Sequence, residues 1–490
     1  MAKKRKATTN NNGNSPPYPD PNAETDQPKK KKTAFSVWVV AASIPGIMVA
    51  FLVGLGFPDL DEQNYNSFPS PTSKLTTVNK APRKMLEKGG PPGSWTYGYY
   101  ADEVSSSSED GASRAWLYPN GGDGNPKYVS FNSDDDFYSL GRVYNDHGQI
   151  VSSRHHFQDG ASLYSGPTEP GQHFQWPSIK VGLKRVVPGL SGDDGKPVEI
   201  ETLTDPNDDD GFSPRIFYVH NFLSTKEADE LIRISMAEDN PYKMAQSTAG
   251  SHKSWDKEGG RDAVSSTRTS MNAFDISSST ALAIKKRGFR LLRLGEYQES
   301  LADGIQILRY ELGQAYIAHD DFFPVRQSAD HNWNPERGGS NRMATIFLYL
   351  SDVDVGGQTV FPKLKRLTNN TSADLVERLS QIDANRGDAK LQDLASKARI
   401  TRGSWEDQLI RQCQTKFAVP PRKGDAILFY SQKPNGKLDH ASLHGACPIL
   451  SGTKWGANLW VWNACRYSLC KVDPHHPAAE LPPNMKAPFH

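Results

Sequence analysis

The stretch AFSVWVVAASIPGIMVAFLVGLGF, residues 34–57, constrains the chain more than any other. It runs 24 residues without a charge, where a helix needs roughly 20 to cross a bilayer. A secretory signal peptide would have a shorter apolar core nearer the terminus. Pro45 and Gly46 fall inside the run, and membrane helices tolerate such kinks. Lys29–Lys32 precede it and DLDE (59–62) follows it, so the positive-inside rule places the N-terminus in the cytosol. The expectation is a single-pass type II protein of the endoplasmic reticulum or Golgi membrane, with everything after residue 58 in the lumen. The alternative is a buried core helix beside a nuclear-import-like KKRK at 3–6.

The remaining composition narrows the partners. With 57 basic and 56 acidic residues the net charge is +1, and no global field favours nucleic acid. Residues 1–33 are a polar tail too poor in apolar residues to fold, and 58–92, rich in Pro, Ser and Lys, read as a stalk. Residues 93–203 alternate short aromatic runs with turn signals and predict a small β-rich region of unknown role. Its adjacent His155 and His156 face opposite ways on a strand and make no joint metal site. An acidic linker at 204–211 precedes a further domain at 212–470, and a tail follows at 471–490. Four cysteines are too few for a disulfide scaffold. Cys413 with Cys447 and Cys465 with Cys470 are the pairings expected in an oxidising lumen, although connectivity is not legible from sequence. NNTS (369–372) offers Asn369 and Asn370 as overlapping glycosylation acceptors.

From residue 212 onward the pattern is strand after strand. RIFYVHNFL (215–223) reads as a strand, and STKEADELIRIS (224–235) as an amphipathic helix with a Ser224/Glu227 capping box. Strands follow at 305–312, 343–353, 424–431, 442–450 and 454–462. Few helices and many Gly/Pro turns predict an all-β core with flanking helices, a double-sheet jelly roll. A polar, partly helical insertion spans 362–420.

YELGQAYIAHDDFF (310–323) reads as a strand that turns at Pro324. Alternation puts Asp321 on the side of His319 and Asp320 on the other. A histidine and a carboxylate at i and i+2 supply two members of a facial 2-His-1-carboxylate iron site. Of the 13 histidines, those after His319 are His331, His440, His444 and three in the tail. His444, in SLHGACPIL, is the one within an apolar strand. A satisfied core histidine is the plain alternative for it. SGT (451–453) predicts a hairpin between this strand and the next, which would bring Lys454 into the same barrel. There Lys454, Gly456, Asn458, Trp460 and Trp462 share one face. An inward lysine needs an anion; an outward one would be ordinary and solvated.

ILRYELGQAYIAHDDFF, GGSNRMATIFLYLSDVDVGGQTVFP, RKGDAILFYS and SLHGACPILSGTKWGANLWVW resemble the catalytic domain of prolyl 4-hydroxylases of the plant and algal type, Fe(II)- and 2-oxoglutarate-dependent dioxygenases. SPRIFYVHNFLS and SSTRTS upstream are similar as well. The resemblance spans roughly residues 212–465 and leaves 1–211 uncovered. It implies His319, Asp321 and His444 as iron ligands, Lys454 pairing with the distal carboxylate of 2-oxoglutarate, and Tyr310 and Thr359 supporting that carboxylate. It also implies Arg342, Tyr316 and Trp460 along a peptide groove. Trp462 stands where the family usually has a histidine, so either it stacks on proline rings or the peptide differs from the family's usual one. The implied reaction consumes O2 and 2-oxoglutarate, releases succinate and CO2, hydroxylates proline in secretory proline-rich polypeptides, and uses ascorbate to restore oxidised iron. A related oxygenase with another substrate, and a non-catalytic lumenal binding protein, are the competing readings. Oligomeric state is not legible.

Overall fold

The computed structural model describes residues 112–119, 126–166, 171–204, 214–247, 267–328, 331–365 and 388–466, with breaks at 141, 193 and 296. It adds residues 101, 103 and 104 and a two-residue ladder of Asn79–Lys80 with Tyr97–Gly98. The expected span at 34–57, the linker at 204–211 beyond residue 204, both sequons and the tail lie outside these residues. Among the described residues no helix is long and apolar enough to cross a membrane.

The first strands are β1 (Ser113–Tyr118), β2 (Lys127–Phe131), β3 (Val143–Asn145), β4 (Ile150–Val151) and β5 (Ala161–Ser165). They form a five-stranded sheet in the order β2-β1-β5-β3-β4. Alternate residues Ala115, Phe131, Val143, Val151 and Leu163 face one core, which Phe137 and Phe157 close.

The next two strands depart from the expected domain boundary. β6 (Lys184–Ser191) and β7 (Pro197–Thr202) do not belong to that small sheet. They pair onward with β8 (Ile216–His220) and extend the main sheet. The acidic composition of 204–211 suggested a linker, but the alternating apolar residues Val187, Val198 and Ile200 need the main core to cover them. The oxygenase sheet therefore begins near residue 184.

The main sheet also contains β9 (Ala245–Gln246), β10 (Met271–Asp275), β11 (Ile305–Tyr310), β13 (Arg342–Tyr349), β17 (Ala426–Tyr430) and β20 (Lys454–Trp462), in the order β9-β10-β11-β20-β13-β17-β8-β7-β6. A second, four-stranded sheet is built from β12 (Tyr316–His319), β18 (His444–Ala446), β15 (Thr359–Lys365) and β16 (Lys416–Val419). Tyr310, Phe347, Tyr349 and Phe429 from the main sheet meet Phe361, Phe417 and Val419 from the second, so the two sheets enclose one core. This two-sheet, mostly β arrangement is consistent with the expected jelly roll.

The main sheet's other face is covered by helices α1 (Thr225–Met236) and α2 (Ser279–Leu291). α1 starts as the capping box foresees: Ser224 Oγ accepts from Glu227 N at 3.1 Å and Glu227 Oε2 accepts from Ser224 N at 2.9 Å. Such a cap contributes about 1 kcal/mol. Glu227 also receives both Arg287 amino groups at 2.8–2.9 Å, which ties α1 to α2. α2 packs closely because residue 288 is glycine; a Cβ there would lie 2.6 Å from Leu459 Cδ2.

Three further expectations need correction. Residues 310–323 are not one strand: β11 ends at Tyr310, the chain turns at Gly313 (φ 79°), and β12 begins at Tyr316. A Cβ at Gly313 would also meet Ala398 O at 2.4 Å. SGT joins no hairpin. β19 (Ile449–Ser451) pairs with β14 (Val355–Gly356), whereas β20 lies between β11 and β13, so the turn carries the chain from one sheet pair to another. The insertion at 362–420 is not wholly surface. Its ends are strands of the second sheet, and of its helices α4 (Trp405–Thr415) packs apolar residues against that sheet while α3 (Asp388–Lys397) packs beside Leu450 and Val355. The Cys413–Cys447 disulfide fixes α4 beside β18. Cys465 is disulfide-bonded too; its expected partner, Cys470, is outside the described residues.

Candidate active site

β12 and β18 run antiparallel with His319 opposite His444. Each ring donates Nδ1–H to a main-chain carbonyl two residues earlier, His319 to Ile317 O and His444 to Ser442 O, both at 3.0 Å. These bonds fix the tautomer and leave each Nε2 lone pair free, the second interaction that metal-binding histidines characteristically make. Asp321 lies just past the end of β12. Its Oδ1 is 3.7 Å from His319 Nε2 and its Oδ2 is 3.6 Å from His444 Nε2. Those separations are too long for hydrogen bonds. They leave a space among three donor groups, all within 4.8 Å of one another.

Thr345, on β13, donates Oγ1–H to Asp321 Oδ2 at 2.6 Å and orients the carboxylate. The Tyr316 ring stacks on His319 with centroids 3.8 Å apart, and Phe429 packs on His444 at 4.5 Å. Burial holds the His319 imidazole well below its ordinary pKa, with a further push from His444; the ring keeps 24 % of its surface open, so water moderates the effect. Burial alone would raise the Asp321 carboxyl, but His444, His319, Arg342 and Thr345 outweigh it and hold the group ionised. Neutral imidazole and ionised carboxylate are the forms that ligate a metal. Asp320 points away, with Oδ2 3.3 Å from His440 Nδ1, as alternation requires.

Lys454, at the start of β20, is fully buried in the core between the sheets. Its Nζ has no hydrogen-bond partner among the described residues. The rings of Phe347, Tyr310 and Tyr349 surround it, with centroids at 5.0, 5.7 and 5.7 Å. Burial lowers its pKa to about 7. Tyr349 OH meets Thr359 Oγ1 at 3.1 Å, and burial raises the Tyr310 phenol pKa, so that phenol stays protonated. An unpartnered ammonium beside hydroxyl donors is the complement of a carboxylate. Sequence reasoning singled out Tyr310 and Thr359 but missed Thr345 and Tyr349. Alternation along MATIFLY could have found both, since Thr345, Phe347 and Tyr349 share one face.

Arg342 lies across Trp460 with its guanidinium 3.7 Å from the ring centroid. It donates Nε–H to Asp303 Oδ2 at 3.0 Å and Nη1–H to Asp321 O at 3.2 Å. With Tyr316 it therefore borders the His319–Asp321–His444 triad. Trp462 does not stand open for stacking on proline. It is 5 % exposed, stacked on Phe323 and met edge-on by His331. The loop after residue 323 folds back over it, which composition did not reveal.

The description of the 2OG-Fe(II) oxygenase superfamily fits residues 305–462, the span from β11 to β20. "Probable prolyl 4-hydroxylase 8" of Arabidopsis thaliana is 31 % identical over 270 residues, 54 % of this chain and 76 % of that protein. The chain belongs to the prolyl 4-hydroxylase family. "Probable prolyl 4-hydroxylase 3" of the same plant is 32 % identical over 51 % of this chain and 70 % of its own length. A viral collagen prolyl hydroxylase from Paramecium bursaria Chlorella virus-1, solved as a 2OG complex, aligns at 20 % identity and a TM-score of 0.30, over 50 % of this chain and 95 % of that one. That score is too low to bear on the assignment. Membership makes the chain a procollagen-proline dioxygenase-type enzyme using Fe(II), 2-oxoglutarate and O2, with ascorbate the reductant typical of the family.

Proposed function

We propose that this enzyme is a membrane-anchored prolyl 4-hydroxylase acting on proline-rich polypeptides of the secretory pathway. The observation that carries the chemistry is a His-Asp-His triad together with a buried lysine that has no hydrogen-bond partner among the described residues, both set against the aromatic core between the two sheets. His319, Asp321 and His444 would hold iron(II). Lys454, Tyr310 and Thr359 would receive the distal carboxylate of 2-oxoglutarate. When bound, iron and 2-oxoglutarate supply O2 activation coupled to decarboxylation.

The protein's own residues do the positioning. Thr345 holds the carboxylate ligand, the Ile317 and Ser442 carbonyls hold the imidazoles, and the aromatic walls keep water from the pocket. Arg342, Tyr316 and Trp460 border the triad where a peptide would enter. Trp462 shapes that entrance from beneath, through Phe323 and the loop that carries it.

Anchoring and compartment rest on the charge-free run at 34–57 behind four lysines. The Cys413–Cys447 bond suits an oxidising lumen, which includes the endoplasmic reticulum and Golgi. The lumenal part incubated with Fe(II), 2-oxoglutarate, ascorbate and poly-proline or Ser/Ala-Pro peptides should release succinate and add one oxygen atom to the peptide. Succinate without modified peptide would point to another substrate.

A further inference from the structure

Residues 171–176 cross from the N-terminal β region to the oxygenase fold and end in a network of buried polar groups. His173 is 2 % exposed, and Asn341 and Asn463 are fully buried. His173 donates Nε2–H to Asn463 O at 2.5 Å, while Asn463 Nδ2 donates to Gly171 O at 3.2 Å. Asn463 Oδ1 in turn accepts from Asn341 N at 2.7 Å. The Asn341 carboxamide then clamps three elements: Oδ1 accepts from Phe323 N and Arg342 N, and Nδ2 donates to Phe323 O and Trp333 O, all at 2.9 Å. A second path runs from Gln175 Nε2 to Gln432 O at 2.8 Å, with Gln432 Nε2 near the Asn341 and Arg342 carbonyls at 3.4 Å.

We infer that residues 171–176 set the peptide-facing wall of the active site, with His173 a positioning residue that fixes Arg342 and the Phe323–Trp333 loop through Asn463 and Asn341. The inference rests on the reading of Arg342 and its aromatic neighbours as the peptide groove. It gives the region before the family match a role in substrate selection that its own small sheet does not suggest. The side chains of the iron ligands make their own hydrogen bonds, to Thr345 and two main-chain carbonyls, and the wall meets them through Arg342, which donates to Asp321 O, so loosening it leaves those side-chain bonds in place. Burial lowers the His173 pKa, so the ring is neutral with a single donor, which the Asn463 carbonyl takes.

The test compares His173→Leu, His173→Gln and Gln175→Met in the full chain. Glutamine keeps a donor near the Nε2 position. His173→Leu should raise the peptide KM roughly tenfold, since misplacing groups that orient substrate costs that much or more. His173→Gln should recover most of the loss, and Gln175→Met should show a smaller rise. The KM for 2-oxoglutarate and its peptide-independent turnover should stay at the wild-type level. Hydrogen exchange supplies a readout that needs no substrate: the Phe323, Asn341 and Arg342 amides should exchange faster in His173→Leu, and the Phe347 amide should not. If His173→Leu fails to fold, Gln175→Met carries the same exchange comparison. Unchanged exchange at these amides, or a 2-oxoglutarate KM that rises with the peptide KM, overturns the inference. Faster exchange in an enzyme that modifies no proline peptide would leave the positioning role standing and count against the substrate assignment alone.

Discussion

The two ends of the candidate site hold charge in opposite conditions. At the triad end, Asp321 is oriented by Thr345 and compensated by Arg342 before any ion arrives. At the far end, Lys454 sits in an aromatic cage with no hydrogen-bond partner among the described residues. The first end is organised without its ligand, whereas the second is a buried cation that destabilises the fold until an anion enters. Removing a metal ligand should therefore cost activity, and removing the lysine should cost activity while making the protein more stable.

The largest expected effect separates neighbouring carboxylates. Asp321→Ala should abolish iron binding and turnover. Asp320→Ala removes only a pairing with the exposed His440, worth about 0–1 kcal/mol, and should keep most of both. Iron content of the purified variants, measured by metal analysis, decides the matter; the reverse pattern would overturn the assignment of Asp321.

Lys454→Met comes next. Losing a charge-assisted contact should weaken 2-oxoglutarate binding about 10–100-fold. In the ligand-free protein the same substitution should raise Tm at pH 7 or below. A lower Tm there, or unchanged 2-oxoglutarate affinity, would break the contrast between the two ends.

The same contrast has a pH dependence. The lysine's folded pKa, about 7, is depressed from 10.5, so folding disfavours its charged form. The resulting penalty is fully present below pH 7, fades as pH rises toward 10.5, and amounts to about 5 kcal/mol at most. Stability of the ligand-free protein should rise by this contribution over that window. Above pH 7, 2-oxoglutarate binding should take up a proton, which calorimetry in buffers of different ionisation enthalpy would detect. Lys454→Met should show no such uptake.

The site was more legible than the fold around it. Period-2 alternation chose Asp321 over Asp320, although Asp321 lies just past the end of its strand, whereas alternation left Lys454 free to face inward or outward and only the family resemblance implied the inward position. Alternation works there because buried strands on two faces leave little choice of register. Connectivity was less legible. The SGT turn looked like a hairpin because turn chemistry is local, while the choice of partner for β20 depends on packing between distant strands. The domain boundary failed for a similar reason: β6 and β7 look like any short strands, and only their pairing with β8 assigns them to the oxygenase sheet. The burial of Trp462 depends on a loop whose polar composition suggested solvent, yet whose His331 and Trp333 turn inward.

The most direct test of the central claim is the position of the added oxygen. After reaction of the lumenal part with Fe(II), 2-oxoglutarate and a proline-rich peptide, fragmentation of the peptide should find the oxygen on C4 of proline, with no such product from His319→Ala. Oxygen on another residue, or the same product from His319→Ala, would contradict the account.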